Sequence, residues 1–405
     1  MFKNATGISF FVFFSIMMVY TQVFGAGFQL FNELSARGTA MGGALTARDD
    51  IAESAWFNPA ASSMLDGLST TIGSAFVIPH MKLEHDGTHD DMKDKVYPVP
   101  HVYAAMPLGD KFGVSMSINV PYGLTTEWQN DWPGKYYAVY TELRCLFLSP
   151  AVSIRPFEWL SIGAGPNFVY ATADMRRAVS PMIPGLKTNM EGNDWAYGYT
   201  VAMMLKPFKN WNFGVTYHSQ IDVDLYGDAK YTMNLPPFQK SDMWLDLTIP
   251  RTVSFGLSTT ALKNWNITAD FTWTDWSSYK SLDFTYSKAP GTAQPGSMSI
   301  PRNWEDAWAF RLGAEYTLTD NWQLRGGFVY DQSPIKNEWR EPTLPTNDRW
   351  DFSVGTGWNY KNFGVDAAYS YVLVENGGTS KLTPTLDGTY KGEAHVINLS
   401  FRWNY

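Results

Sequence analysis

The chain has 405 residues, 45% of them hydrophobic and 16% aromatic, with 17 Trp and 22 Tyr, yet its mean hydropathy is −0.23, too low for a helical membrane protein. A formal charge of −8 without any basic stripe argues against nucleic acid as a partner, and the single cysteine, Cys145, excludes an intrachain disulfide and a cysteine-based zinc site. Many aromatics with mild hydrophilicity suit a barrel whose residues alternate between lipid and water and whose rims carry aromatic girdles.

At the N-terminus Lys3 precedes an apolar run, Ile8–Val19, which Thr21 and Gln22 close before the small residues Gly25 and Ala26. The run is shorter than the roughly 20 residues of a spanning helix, so residues 1–25 are predicted to be a secretory signal peptide. Residues 26–66 differ in character from the remainder of the chain. They are rich in Gly, Ala and Ser and lack sustained two-residue alternation. Asp50 with Glu53 fits a capping box, and Asn58-Pro59 fits an N-cap with proline at the first helical position. Short helices joined by glycine turns are expected there.

From Gly67 to Tyr405 apolar residues recur at every second position in segments bounded by Gly, Pro, Asn or Asp, the signature of strands. Over Trp211–Leu225 one face reads Trp211, Phe213, Val215, Tyr217, Ile221, Val223, Leu225, against Thr216, His218, Asp222 and Asp224 on the other. Short turns are expected at Leu108–Lys111, Pro207–Asn210, Thr319–Asn321 and Tyr360–Asn362, and long loops at Met81–Lys95, Met182–Asn193, Tyr286–Ser299 and Asn337–Asp348. About fourteen strands result, an even number of the kind bacterial barrels use. After Val23 no segment approaches a transmembrane helix in length, and only helices and closed barrels satisfy every backbone group in lipid. In His395–Tyr405, Ile397, Leu399, Phe401, Trp403 and Tyr405 share one face, and the chain stops on an aromatic residue. The fold class is therefore all-β, a transmembrane antiparallel barrel (residues 67–405) preceded by a small, mostly helical segment (26–66).

Six pieces in order along the chain, AGFQLFNELSARG (Ala26–Gly38), FNPA (Phe57–Ala60), PYGL (Pro121–Leu124), GVTYHSQIDVDLYGDA (Gly214–Ala229), WTDWS (Trp273–Ser277) and DNWQLRGGFVYDQSPI (Asp320–Ile335), resemble the FadL/TodX family of bacterial outer-membrane transporters of long-chain fatty acids and related hydrophobic compounds. The resemblance implies a fourteen-stranded barrel with an N-terminal hatch plugging its lumen. It also implies a kinked third strand opening sideways into the membrane, and a ligand passing from extracellular loops to an apolar pocket and out through the wall. Pro121, followed by Tyr122 and Gly123, interrupts the alternation of Met116, Ile118 and Val120, and proline is normally kept out of central strands. Either the ladder breaks here, as the family position implies, or Pro121 ends an ordinary strand.

The resemblance also implies a headgroup arginine after Tyr170-Ala171-Thr172-Ala173, which falls at Arg177. A guanidinium binds a carboxylate through two parallel charge-assisted hydrogen bonds. The alternative is a rim arginine facing lipopolysaccharide or solvent, and neighbouring Arg176 could equally be the inward one. The family's second headgroup cation falls at Ile300, an apolar residue, which Arg302 on the same strand face could replace; one cation alone would favour neutral aromatic hydrocarbons. Phe28 matches a hatch phenylalanine that touches ligand, or else only anchors the hatch. Asn58, with Pro59 and Ala60, is expected to meet the broken strand at Pro121–Gly123.

The partners implied are a hydrophobic small molecule, outer-membrane lipid and lipopolysaccharide, with a monomer expected and no cofactor. His80, His85 and His89 near Asp86, Asp90 and Asp91 match no structural metal spacing. An outer-membrane hydrolase finds no G-x-S-x-G elbow in support, and a general porin would leave to water the space that about forty residues of hatch occupy.

Overall fold

The computed structural model describes residues 27–405 apart from residues 234 and 293, so the expected signal peptide lies outside the described residues. The chain forms β1 (Ser69–His85), β2 (Thr88–Asp91), β3 (Tyr97–Leu108), β4 (Phe112–Glu127), β5 (Tyr140–Phe157), β6 (Leu160–Ala178) and β7 (Lys187–Phe208). Next come β8 (Trp211–His218), β9 (Ile221–Tyr231), β10 (Ser241–Ile249), β11 (Thr252–Thr259), β12 (Trp265–Thr274) and β13 (Ser281–Tyr286). The wall ends with β14 (Gly296–Pro301), β15 (Ala307–Thr319), β16 (Trp322–Asp331), β17 (Arg349–Tyr360), β18 (Phe363–Gly378) and β19 (Thr389–Asn404). Four wall strands are each broken into two segments (β8/β9, β10/β11, β12/β13, β14/β15) and β2 is a hairpin appendage, so the closed barrel has 14 strands. It closes where β1 pairs with β19, from Ser69↔Asn404 to Glu84↔Thr389.

All four expected short turns lie at one end, with Asn210 and Lys361 taking the positive φ that tight hairpins require. At the other end the wall runs further than expected. β1 continues to His85 and pairs with β2 inside the expected loop Met81–Lys95, and β7 begins at Lys187. Cross-strand charges such as Lys391 with Glu84, 2.6 Å apart, support these ladders where the outer face meets water.

The last strand shows the membrane-facing pattern. Phe401 is 61% exposed while Ser400 and Arg402 are 0% and 7% exposed. Trp265, Trp322, Trp358, Tyr360 and Trp403 crowd the short-turn end of this outer face, an aromatic girdle at the lipid boundary.

The expected single face over Trp211–Leu225 is corrected. Trp211 and Phe213 point outward, but beyond the break at Ser219–Gln220 the residues Ile221, Val223 and Leu225 are buried inside and Asp222 and Asp224 are exposed. The neighbouring wall strands do the same. Phe255 in β11 faces out while Met243, Leu245 and Leu247 in β10 face in, and Phe271 in β12 gives way to inward Leu282 and Phe284 in β13. The breaks mark the level at which the outside changes from lipid to water and the inside from polar to apolar.

Apart from Gln29, Asp49 and Asp50 the segment from Gly27 to Met64 is buried, and it touches strands from around the circumference. Helix α1 (Ala36–Ala40) lies against β16 to β19 and β1, helix α2 (Ser54–Phe57) against β3 to β5, and the 3-10 turn Pro59–Met64 against β3 to β7. Asn58 caps that turn by accepting from the Ala60 N–H at 3.2 Å, with Pro59 following it as expected. The capping box at Asp50 does not form: Asp50 binds Arg48 at 2.7 Å, and Glu53 makes no side-chain cap. Ser35 caps α1 instead, accepting from the Gly38 N–H at 2.9 Å.

Two kinds of contact hold this segment. On one side Glu315 of β15 binds Arg48 at 3.1 Å and Arg325 of β16 at 2.5 Å, and Arg325 continues to Asp366 of β18 at 2.6 Å. On the other side Asp49 pairs with Lys206 of β7, and the contacts of the Asn58–Met64 end are close and uncharged: Ser62 to Ser153 and Ser63 to Ser161, both 2.8 Å. Wall glycines admit the segment's backbone. A Cβ on Gly214 would fall 2.1 Å from the Thr46 carbonyl oxygen, and one on Gly327 2.3 Å from the Gly42 nitrogen.

Removing one partner from a buried ion network leaves charge uncompensated, at a cost of about 3–5 kcal/mol. Glu315→Gln, which leaves Arg48 with only Asp50 and Arg325 with only Asp366, should therefore lower the thermal unfolding midpoint of the purified barrel in detergent. An unchanged midpoint would show that this network contributes no net stability.

Candidate functional site

The wall parts beside its third strand. β3 and β4 pair from Leu108↔Phe112 to Val102↔Ile118 and no further. β4 nevertheless continues to Glu127 along β5, with a register shift between Asn119 and Tyr122, so Pro121 interrupts a strand without ending it. The freed edge takes a different partner. Leu30 N–H donates to the Pro121 carbonyl and Gly123 N–H to the Phe28 carbonyl, each at 2.8 Å, and Gln29 bridges Tyr122. The segment hydrogen-bonded to Pro121–Gly123 is thus Phe28–Leu30, and the expected contact from Asn58–Ala60 is corrected. The Asn58 amide donates to the carbonyls of Thr46 at 2.9 Å and Met203 at 3.0 Å, while Pro59 and Ala60 back onto Gly163.

Just above this junction lies a narrow apolar pocket of about 50 Å³. Phe28 forms one side, inside an aromatic cage with ring-centroid distances of 4.8 Å to Trp276, 5.6 Å to Tyr279, 5.9 Å to Trp304 and 6.1 Å to Tyr122. Leu245, Leu247 and Leu282, the residues turned inward above the breaks, form much of the rest with Ile335 and Leu344. Arg302 and Glu341 close the outer end as a buried ion pair, with Arg302 Nε also donating to the Tyr279 hydroxyl at 3.3 Å. A guanidinium so paired is already neutralised.

The same two residues line a second, outer pocket of about 340 Å³, so the two adjoin. Arg177 sits there among Met175, Met190, Phe284, Met298 and Ile300. It shares the inward face of β6 with buried Val169, Ala171 and Ala173, whereas Arg176 is half-exposed and paired with Asp174. No carboxylate lies within ion-pair distance of Arg177 among the described residues; its hydrogen-bonding contact is the Met298 sulfur, 3.9 Å from Nη2.

Sequence reasoning did not find Tyr279, Trp304 or Glu341. Trp276 lies within the WTDWS stretch, but Trp304 and Glu341 occupy irregular connections without periodicity. The three loop histidines form separate pairs, His80 with Asp94 at 2.9 Å, His85 with Asp90 at 2.6 Å and His89 with Asp91 at 3.5 Å. Among the described residues no group of His, Cys, Asp or Glu could hold a metal ion.

Comparison with known proteins agrees with this geometry. Residues 16–405 match the family model described as outer membrane protein transport protein (OMPP1/FadL/TodX). The chain is 27% identical to a long-chain fatty acid transport protein of Salmonella typhi, over 96% of this chain and 97% of that protein, and 26% identical to its Escherichia coli K12 namesake over the same shares. In structure it resembles a Pseudomonas aeruginosa FadL homologue (TM-score 0.83, 22% identity, 93% of this chain and 99% of that one). It also resembles the Ralstonia pickettii toluene transporter TbuX (TM-score 0.74, 17% identity, 93% and 99%). The chain therefore belongs to the OMPP1/FadL/TodX family and is an outer-membrane transporter of hydrophobic compounds, not an enzyme.

Proposed function

We propose that this protein takes up long-chain fatty acids, and that Arg177 binds the carboxylate at the entrance. The observation that carries this reading is a cation without a carboxylate partner set among thioethers and aromatic side chains. A fatty acid supplies both missing halves, an anion for the guanidinium and a chain for the apolar wall. From the outer pocket the chain extends past the Arg302–Glu341 pair toward the cage around Phe28. Phe28 both lines the pocket and hydrogen-bonds through its carbonyl to Gly123, so a ligand that displaces its ring pulls on the segment covering the edge of β4. Residues 26–66 act here as a hatch, and release is sideways where β3 and β4 part. The relatives named as long-chain fatty acid transport proteins support the substrate class.

A second reading is uptake of neutral aromatic hydrocarbons. Ile300 lines the outer pocket without charge, and Arg302 is neutralised by Glu341, which leaves the inner pocket suited to an uncharged ligand.

Arg177→Ala separates the two. A hydrogen bond to a charged group contributes about 1.5–3 kcal/mol, so the variant should bind oleate at least about tenfold more weakly while toluene uptake barely changes. Equal oleate binding by both proteins, at equal surface expression, would remove Arg177 from the mechanism. Mass spectrometry of ligands retained through purification should find fatty acids; only neutral hydrocarbons would favour the second reading. Phe28→Ala opens the aromatic cage and should weaken oleate and toluene alike, by about 2 kcal/mol, the loss typical of a buried aromatic anchor. No change in either ligand would leave Phe28 as an anchor of the hatch alone.

A further inference from the structure

The parted wall leaves hydrogen-bonding positions empty, and the sequence fills them in an orderly way. β3 keeps an unbroken ladder with β1 from Val77↔Tyr97 to Ser69↔Ala105, running straight across Pro98 and Pro100. A proline nitrogen cannot donate. Successive residues of a strand direct their backbone groups to opposite neighbours, so a ladder continuous across two prolines of one parity is made by the other parity: Tyr97, Val99 and His101 bond β1. Pro98 and Pro100 therefore turn their nitrogens toward β4, over the stretch where β4 has left, since pairing begins only at Val102↔Ile118. On the facing edge the Pro121 carbonyl and the Gly123 N–H are the groups that Leu30 and Phe28 engage. Pro121, too, has its nitrogen on the side of the gap. Three prolines thus occupy donor positions that a closed β3–β4 ladder would use.

We propose that Pro98 and Pro100 keep this side port permanently unzipped, a positioning role that rests on the reading that ligands leave through the parted wall. Without their N–H groups β3 cannot reclaim the edge of β4 from Phe28–Leu30, and the open edge carries no orphan donor at these positions into the bilayer. The wall is then a fixed aperture. What opens and closes is the short segment lying against it.

The test restores both donors. In the full-length Pro98→Val/Pro100→Val variant, the new amides at positions 98 and 100 should pair with β4 and exchange with deuterium at least about tenfold more slowly than unpaired amides. Oleate uptake by cells should fall correspondingly, with the barrel still folded. Freely exchanging amides at 98 and 100 would overturn the proposal whatever the uptake. Protected amides with undiminished uptake would uphold the role of the prolines and instead overturn the sideways exit. If the double valine variant fails to insert, Pro98→Ala/Pro100→Ala restores the same donors with less bulk and is read in the same way.

Discussion

A backbone N–H or carbonyl inside a bilayer has no water to turn to, and this constraint organises the molecule. It accounts for the closure of β1 on β19 and for long ladders with few interruptions. It also explains the form of the parting beside β3, where β4 leaves its neighbour. There β4 borrows Phe28–Leu30 as a substitute strand. The lumenal segment is thus a piece of the wall as well as an obstruction in the lumen, and moving it exposes backbone.

The second organising feature is the inversion of the wall at the breaks in β8/β9 through β14/β15. Below them the barrel is greasy outside and charged inside; above them it is acidic outside and greasy inside. One continuous sheet therefore offers a lipid-facing belt and a ligand pocket without adding a domain. The charged lower lumen anchors α1 and Arg48 through Glu315, while glycines and serines of β4 to β8 meet the Asn58–Met64 end. Two ends of one short segment are held by different forces, ionic on one side and close packing on the other.

Much of this was legible in the residues. Alternation over His395–Tyr405 gave the outward face directly, because one side chain in two must meet lipid. Pro121 marked the parting because proline denies the ladder a donor. The inversion was hidden, since Trp211 to Tyr217 and Ile221 to Leu225 are all odd-numbered: the break at Ser219–Gln220 turns the face without disturbing the period. Glu341, which neutralises Arg302, comes from an irregular connection that carries no periodic signal. The cap at Asn58 was legible as a local motif, but its wall partners were not: the resemblance pointed to Pro121–Gly123, whereas the amide donates to the carbonyls of Thr46 and Met203.

The prolines at the port have an electrostatic consequence. A residue of a strand directs its carbonyl to the same neighbour as its nitrogen, so Pro98 and Pro100 present two oxygens to the gap with no accompanying hydrogens. The rim of the aperture on the β3 side is lined with acceptors and is slightly negative. A molecule carrying an O–H finds partners there, whereas an anion meets repulsion.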